Sequence, residues 1–257
     1  MPSLGLGNST DTSSIQTFNS HYMAFDGTSD YLSFDDGAGD VIHNLTNFGV
    51  DGTAKEFSTS WWMYLTDATT HQFHNLGSYN ATVYNYTSNF YIRMGTDMSP
   101  ANNVDYDYNF AINTWYHCVF TVDDDDGKLY VNGSLEHNES HSSSPELSQA
   151  RASRIGARHN LGGGSADFTG RCDEFAMYDT ILSAADVTAL YNNGNPTDLN
   201  SKFSYDTDRT ANLRLWFRMG DGATDTSSVI YNASTAANKL SLQLTVTNAV
   251  ITGGHVG

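Results

Sequence analysis

Cations are scarce in this chain. Its 12 Lys and Arg stand against 29 Asp and Glu, a formal net charge of −17 over 257 residues. That balance argues against duplex nucleic acid or an anionic membrane surface as partner, because both are gripped through clustered Lys and Arg. No run of about 18 apolar residues occurs, so no membrane span is expected. Residues 1–14, MPSLGLGNSTDTSS, carry neither a basic start nor an apolar stretch. The expectation is a chain without a secretory signal. Proline is rare, with 4 residues, and hydrophobic residues make up 39%, which excludes a disordered chain. Only 2 cysteines are present, too few to staple a chain of this length into a disulfide scaffold.

Strand-forming residues fill that space. Aromatics are 12% of the chain, mostly Tyr and Phe, which suit strands. The richest phrase is residues 167–194, DFTGRCDEFAMYDTILSAADVTALYNNG. Phe175 and Met177 alternate with Glu174, Ala176 and Tyr178, the period of a strand. Ser183 then stands as a helix N-cap with Asp186 as its capping-box partner. Val187, Leu190 and Tyr191 form one apolar stripe on a two-turn helix, and Gly194 is placed to end it in the left-handed conformation.

This strand, turn and helix resemble the closing phrase of the laminin G-like, pentraxin-like branch of the concanavalin A-like lectin/glucanase superfamily. Residues 22–34, YMAFDGTSDYLSF, are similar to the opening hairpin of that family. Residues 113–133, NTWYHCVFTVDDDDGKLYVNG, are similar to its central hairpin, and residues 154–158, RIGAR, to a short strand before the closing phrase. The blocks stand in family order. The resemblance implies an all-β fold, an antiparallel β-sandwich of jelly-roll, concanavalin A-like type with one short helix after the closing strand. Cys118 and Cys172 stand where the family has apolar residues, implying buried free thiols, with a disulfide as the alternative.

Three parts follow. Residues 1–20 form a Gly-, Ser- and Thr-rich arm, residues 21–195 the sandwich, and residues 196–257 a polar connector and further strands. In LRLWFRM, Leu213, Leu215, Phe217 and Met219 are expected on one face; in LSLQLTV, Leu240, Leu242, Leu244 and Val246 are expected on one face. LWFRMGDGATDTSS resembles a segment that in the family precedes the opening hairpin. Circular permutation of the same sandwich is the favoured account. Completion of a neighbouring subunit's sandwich and a truncated second repeat are the alternatives.

Chemistry-bearing patterns are sparse. The glycosidases of the superfamily carry acids spaced two apart near E-x-D-x-E, and no such run occurs here. Asp105 and Asp107 lie in an Asn- and Tyr-rich stretch without a third acid. Asp173 and Glu174 are adjacent, so strand geometry sends them to opposite faces and excludes a direct catalytic pair. His71 and His74 read as surface residues, and His117 as a packed or structurally hydrogen-bonded one. The turn around Asp123 and Asp126 fails as an EF-hand, because Val122 and Gly133 fall at the first and twelfth ligand positions. The resemblance implies calcium as the one candidate cofactor, with Asp30, Asp173, Glu174 and Asp225 as its ligands, or else a structural role for Asp173. Glycan binding needs an aromatic platform and polar groups for hydroxyls. Tyr84 and Tyr86 in one loop, and His159 and Asn160 in another, are the candidates.

Three functions are therefore weighed. The first is a non-enzymatic surface protein of a bacteriophage particle, a capsid decoration or fibre-associated protein. It would be a homo-oligomer, contact capsid or tail proteins of that particle, and take host-surface glycans. The second is a free carbohydrate-binding lectin. The third, a glycoside hydrolase or lyase, is weakest because the acids are missing.

Overall fold

The computed structural model describes residues 19–35, 56–67, 72–75, 82–86, 89–94, 104–105, 108–123, 126–140, 153–157, 167–203 and 207–254. Two antiparallel sheets face each other. Sheet A runs in the order β10 (Ser134–Ser140), β9 (Asp126–Val131), β8 (Trp115–Asp123), β3 (Glu56–Leu65), β12 (Thr169–Tyr178), β1 (His21–Asp26) and β16 (Val250–Gly253), and β13 (Leu213–Phe217) also pairs with β12. Sheet B runs β14 (Val229–Tyr231), β15 (Gln243–Thr247), β2 (Tyr31–Asp35), β11 (Arg154–Ile155), β4 (Gln72–Asn75), β5 (Thr82–Tyr86), β6 (Asn89–Met94) and β7 (Val104–Asp105). This is the all-β sandwich that the sequence phrases imply. Among the described residues no helix is long and apolar enough to cross a membrane.

The inner faces meet in an aromatic core. Phe34 of sheet B packs edge-on against Phe175 and Phe217 of sheet A, with ring centroids 6.0 and 5.9 Å away. Trp61 stacks on Phe73 at 5.8 Å, and Phe168 stands edge-on to both Phe73 and Phe25. Edge-on pairs bring a positive ring edge to a negative ring face, a gain of about 0.5–1.5 kcal/mol beyond area burial. Cys118 and Cys172 are buried in this core as free thiols, and burial pushes both thiols up, away from the reactive thiolate.

Sheet A is covered on its outer face as well, at one end. Helix α1 (Ala184–Tyr191) lays Val187 and Leu190 over Ala176, Tyr178, Val119 and Trp216. Both alternating sets of β12 are therefore buried, which explains a strand whose residues read as apolar almost throughout. The capping box is complete: the Ser183 hydroxyl accepts from the Asp186 amide, and the Asp186 carboxylate accepts from the Ser183 amide. Arg209 adds an ion pair to Asp186 at 2.9 Å. The helix stops earlier than Gly194 suggests, because Asn192 takes the left-handed conformation at φ 45° and caps it. Asn tolerates that region nearly as well as glycine.

The last strands belong to these same two sheets, β13 on β12, β15 on β2 and β16 on β1. Leu215, Phe217 and Met219 enter the inter-sheet core, but Leu213 crosses to the helix side, because the register slips between Met177 and Tyr178. Leu240, Leu242, Leu244 and Val246 all pack on the inter-sheet core. The turn after β13 is built by Asp221 and Asp225. Asp225 accepts from the amides of Gly220, Gly222 and Tyr231. Gly220, at φ 118°, brings its backbone so near β1 and β16 that a Cβ there would lie 2.5 Å from Ile251. That approach lets Asp221 accept from the amides of Ser20 and His21, the Ser20 hydroxyl and the His21 ring.

Candidate functional site

Strand register arranges the outer face of sheet A in rows across β12, β3 and β8. Arg171, Tyr64 and Trp115 form one row; Asp173, Trp62 and His117 the next; Ala176, Ser60 and Val119 a third. The third row lies under α1. The first lies at the uncovered end, beside the exposed turn formed by Ile112, Asn113 and Thr114. One face thus grades from sealed to open.

The middle row holds a buried pair of carboxylates. Cys172 and Phe175 both point into the inter-sheet core although they are three residues apart, so an extra residue is inserted between them. Glu174 is that residue: its φ is 48°, and the register with β3 shifts between Asp173 and Ala176. Such a bulge turns both side chains to one side. The sequence expectation of opposite faces is therefore corrected. Asn19 donates its amide to both acids, at 2.7 Å to Asp173 and 3.1 Å to Glu174.

The bulge also marks a change of partner. Along one edge, β12 pairs with β1 up to Cys172 and with β13 from Phe175 onward. The acids fill the gap between the two. Asn19 reaches them from just before β1, while the Trp216 indole N–H and the Arg218 guanidinium reach Glu174 from β13 and the turn after it. Asp173 also accepts from the Glu174 amide at 2.8 Å. Burial raises both carboxyls. Repulsion from Glu174 adds to the rise at Asp173, while Arg218 and the Trp216 and Asn19 donors hold Glu174 back to about 7.

Next to Glu174, between the sheet and residues 196–199, is a small cleft lined by Ser60, Trp62, His117, Leu190 and Pro196 among others. His117 Nε2 shares a hydrogen bond of 2.9 Å with Ser60 Oγ, and Trp62 and Tyr191 lie over its ring. Its Nδ1 has no partner among the described residues. Burial lowers the imidazole to about 3, so it stays neutral. This is the packed, hydrogen-bonded histidine that its sequence setting suggests.

The open row is different in kind. The Arg171 guanidinium lies over two rings, 4.4 Å from the centroid of Tyr64 and 4.7 Å from that of Tyr22. Trp115 closes the group, 5.4 Å from Tyr64 and 5.8 Å edge-on to Tyr22. Tyr64, Trp115 and Arg171 are partly exposed. Arg209, Arg214 and Arg218 each take a carboxylate. Arg171 has no hydrogen bond and no ion pair among the described residues. The sequence held a signal for this cluster: Tyr64 and Arg171 stand two residues from outward Trp62 and Asp173, at the same strand parity.

The four carboxylates proposed for calcium do not assemble. Asp225 is occupied by turn amides. Asp30 accepts from the Asp26 amide in the β1–β2 turn, and burial raises it. Asp173 and Glu174 form a separate buried pair whose four oxygens all take internal donors. Calcium needs ionised, open oxygens from several directions, and this set does not offer them. Among the described residues no group of three His, Cys, Asp or Glu is placed to hold a metal. Tyr84 and Tyr86 lie on strand β5 rather than in a loop, paired with Tyr91 and Asn89 of β6. Their side chains, and His159 and Asn160 altogether, lie outside the described residues.

The laminin G family model of the concanavalin A-like lectin/glucanases superfamily matches residues 26–188. A candidate carbohydrate binding protein from Bacteroides ovatus superposes with a TM-score of 0.61 at 13% identity, covering 93% of this chain. The chain spans 62% of the length of that protein. The heptameric SAP-like pentraxin from Limulus polyphemus superposes with a TM-score of 0.52 at 13% identity, over 90% of this chain and 97% of its own. Likeness at such identity is likeness of fold. No curated protein matches the sequence.

Proposed function

This chain belongs to the concanavalin A-like lectin/glucanases superfamily, and from that premise we propose that it is a carbohydrate-binding module that works by contact and not by catalysis. The observation that carries the reading is the open row of sheet A, where partly exposed Arg171, Tyr64 and Trp115 follow one another beside an exposed polar turn. An aromatic face receives the C–H face of a pyranose, and neighbouring amides and guanidinium donors receive its hydroxyls. Asn113 and Thr114 supply such groups here, with Asn113 already within 3.4 Å of the Tyr64 hydroxyl. Carbohydrate binding is also what the Bacteroides ovatus neighbour is provisionally credited with.

One observation favours hydrolysis instead: a glutamic acid lifted to about 7 resembles a general acid in its range. What weighs against it is position. Asp173 and Glu174 are 0% and 4% exposed, with their oxygens engaged by Asn19, Trp216, Arg218 and backbone, out of reach of a glycosidic bond.

The setting we attach to this module is the surface of a bacteriophage particle, where it would contact capsid or tail proteins and host-surface glycans as a homo-oligomer. The acidic surface and the Gly-, Ser- and Thr-rich first 20 residues support it. A glycan array with wild type and Trp115→Ala tests the binding. Signal on specific glycans that the substitution removes is the expected result, and a silent array overturns it. Light scattering with and without a calcium chelator tests the setting: a defined ring or trimer is expected, and a monomer that binds glycans by itself returns the reading to a free lectin.

A further inference from the structure

We infer that Arg171 is a receptor for a carboxylate, so that the sugar taken at the open row is an acidic one, a uronate-bearing glycan. The inference rests on the glycan-binding reading and adds the class of sugar. The chain carries few cations, with 12 Lys and Arg against 29 Asp and Glu. A guanidinium with no carboxylate partner among the described residues is therefore conspicuous, since a nearby carboxylate would gain by pairing with it. Arg209, Arg214 and Arg218 have all been taken in that way. Arg171 has not, and nothing else within the described structure accepts from it.

The arginine is also held ready. Tyr22 and Tyr64 both lie against it, with ring centroids 4.7 and 4.4 Å from its Cζ, so ring contacts position the guanidinium with no hydrogen bond to it among the described residues. Each contact contributes about 0.5–2 kcal/mol of cation–π attraction. The five donors stay in the plane, in a fork whose spacing matches a carboxylate. Pre-positioning removes most of the rotamer entropy that a free arginine would lose on binding. Tyr22 is itself pinned: it is 7% exposed, and the backbone of Gly254 packs so close that a Cβ there would lie 2.5 Å from its ring. Partly exposed Trp115, 5.4 Å beyond Tyr64 in the same row, then offers the stacking surface for the saccharide whose carboxylate Arg171 takes. The acids of the next row do not compete, because Asp173 and Glu174 are buried and satisfied by other donors.

The test is a titration panel of galacturonate, glucuronate and mannuronate oligosaccharides, each beside its carboxyl-reduced counterpart, followed by calorimetry and by Trp fluorescence. At least one acidic form is expected to bind about tenfold or more tightly than its reduced form, as a charge-assisted pair implies. Arg171→Met should erase that difference, and Arg171→Lys, which keeps the charge and the stem but not the fork, should keep only part of it. Thermal melts of both variants confirm that they are folded. The inference is overturned if no acidic form outbinds its reduced partner, if the preference survives in Arg171→Met, or if a sulfated neutral oligosaccharide binds in place of the uronates. In those cases reduced or neutral sugars that still bind and perturb Trp115 leave the glycan-binding reading standing. Silence across the whole panel and a neutral array overturns both.

Discussion

Two tryptophans on the outer face of sheet A do opposite work. Trp216 lies at the sealed end, 2% exposed, with its N–H committed to Glu174 under the cover of α1 and the loop that follows it. Trp115 lies at the open end, partly exposed, touching only Tyr22 and Tyr64 among the ring contacts of its row. The buried acids and Arg171, which has no carboxylate partner among the described residues, show the same division. At one end every polar group is consumed internally and the structure gains stability; at the other, stacking holds a donor edge in place and leaves it open. The most displaced pKa values in this sheet thus lie where polar groups satisfy one another, away from the row proposed to bind.

The contrast makes graded demands on experiment. Removing residues 213–257 deletes β13 from β12, β16 from β1 and β15 from β2. Loss of cooperative unfolding in circular dichroism and calorimetry is expected, and a folded truncated chain would show that the sealed end is dispensable. Trp216→Ala should lower unfolding free energy by about 3–5 kcal/mol in urea titration, because it opens a cavity and strips Glu174 of a donor. Trp115→Ala should cost only roughly 1 kcal/mol while removing sugar binding. Equal losses would erase the distinction between the ends.

Glu174 offers a subtler measurement. Its carboxyl ordinarily titrates near 4.5 and in the fold near 7, so the folded chain holds a proton that the unfolded chain releases. Its contribution is complete below the unfolded value and declines as pH rises from about 4.5 to about 7. Relative to wild type, Glu174→Gln should therefore gain stability across that window, by on the order of 3 kcal/mol at most. The buried His117, lowered to about 3, acts in the other direction, since acid favours the unfolded chain that can protonate it. That term is common to both proteins and cancels in the difference. A difference in melting temperature that is flat with pH would mean that Glu174 ionises normally. Ser183→Ala, removing one half of the capping box, should cost about 1 kcal/mol and leave sugar binding unchanged.

The sequence made the sandwich legible because its signals are local and repeated. The opening and central hairpins, the Ser183–Asp186 box and the alternating inner faces each sit within a few residues of one another. The bulge at Glu174 was not legible. A left-handed residue inside a strand is usually announced by glycine, and here it is a glutamate, kept there by Asn19 155 residues earlier in the chain and Trp216 42 residues later. The fate of Asp225 and Asp30 was hidden for a different reason: their partners are nearby backbone amides, which any residue type supplies. Leu213 was misplaced because a one-residue slip inverts the parity of everything beyond it. Strand parity alone could place Arg171 outward, but its meaning escaped notice because it comes from rings on two other strands.

The seam on β12 also has a consequence in time. Asn19 and Asp173 are separated by 154 residues, and Ser20 and Asp221 by 201. At synthesis rates of roughly 5–20 residues per second, residues 19–26 wait on the order of ten seconds or longer for the partners that flank them. Meanwhile β1 offers both edges, and Met23 and Phe25, to any other strand nearby. The wait is set by gene order, and no strengthening of the finished contacts shortens it. Whatever shields β1 on the ribosome, chaperone or neighbouring chain, acts before the acids of the seam have met their donors.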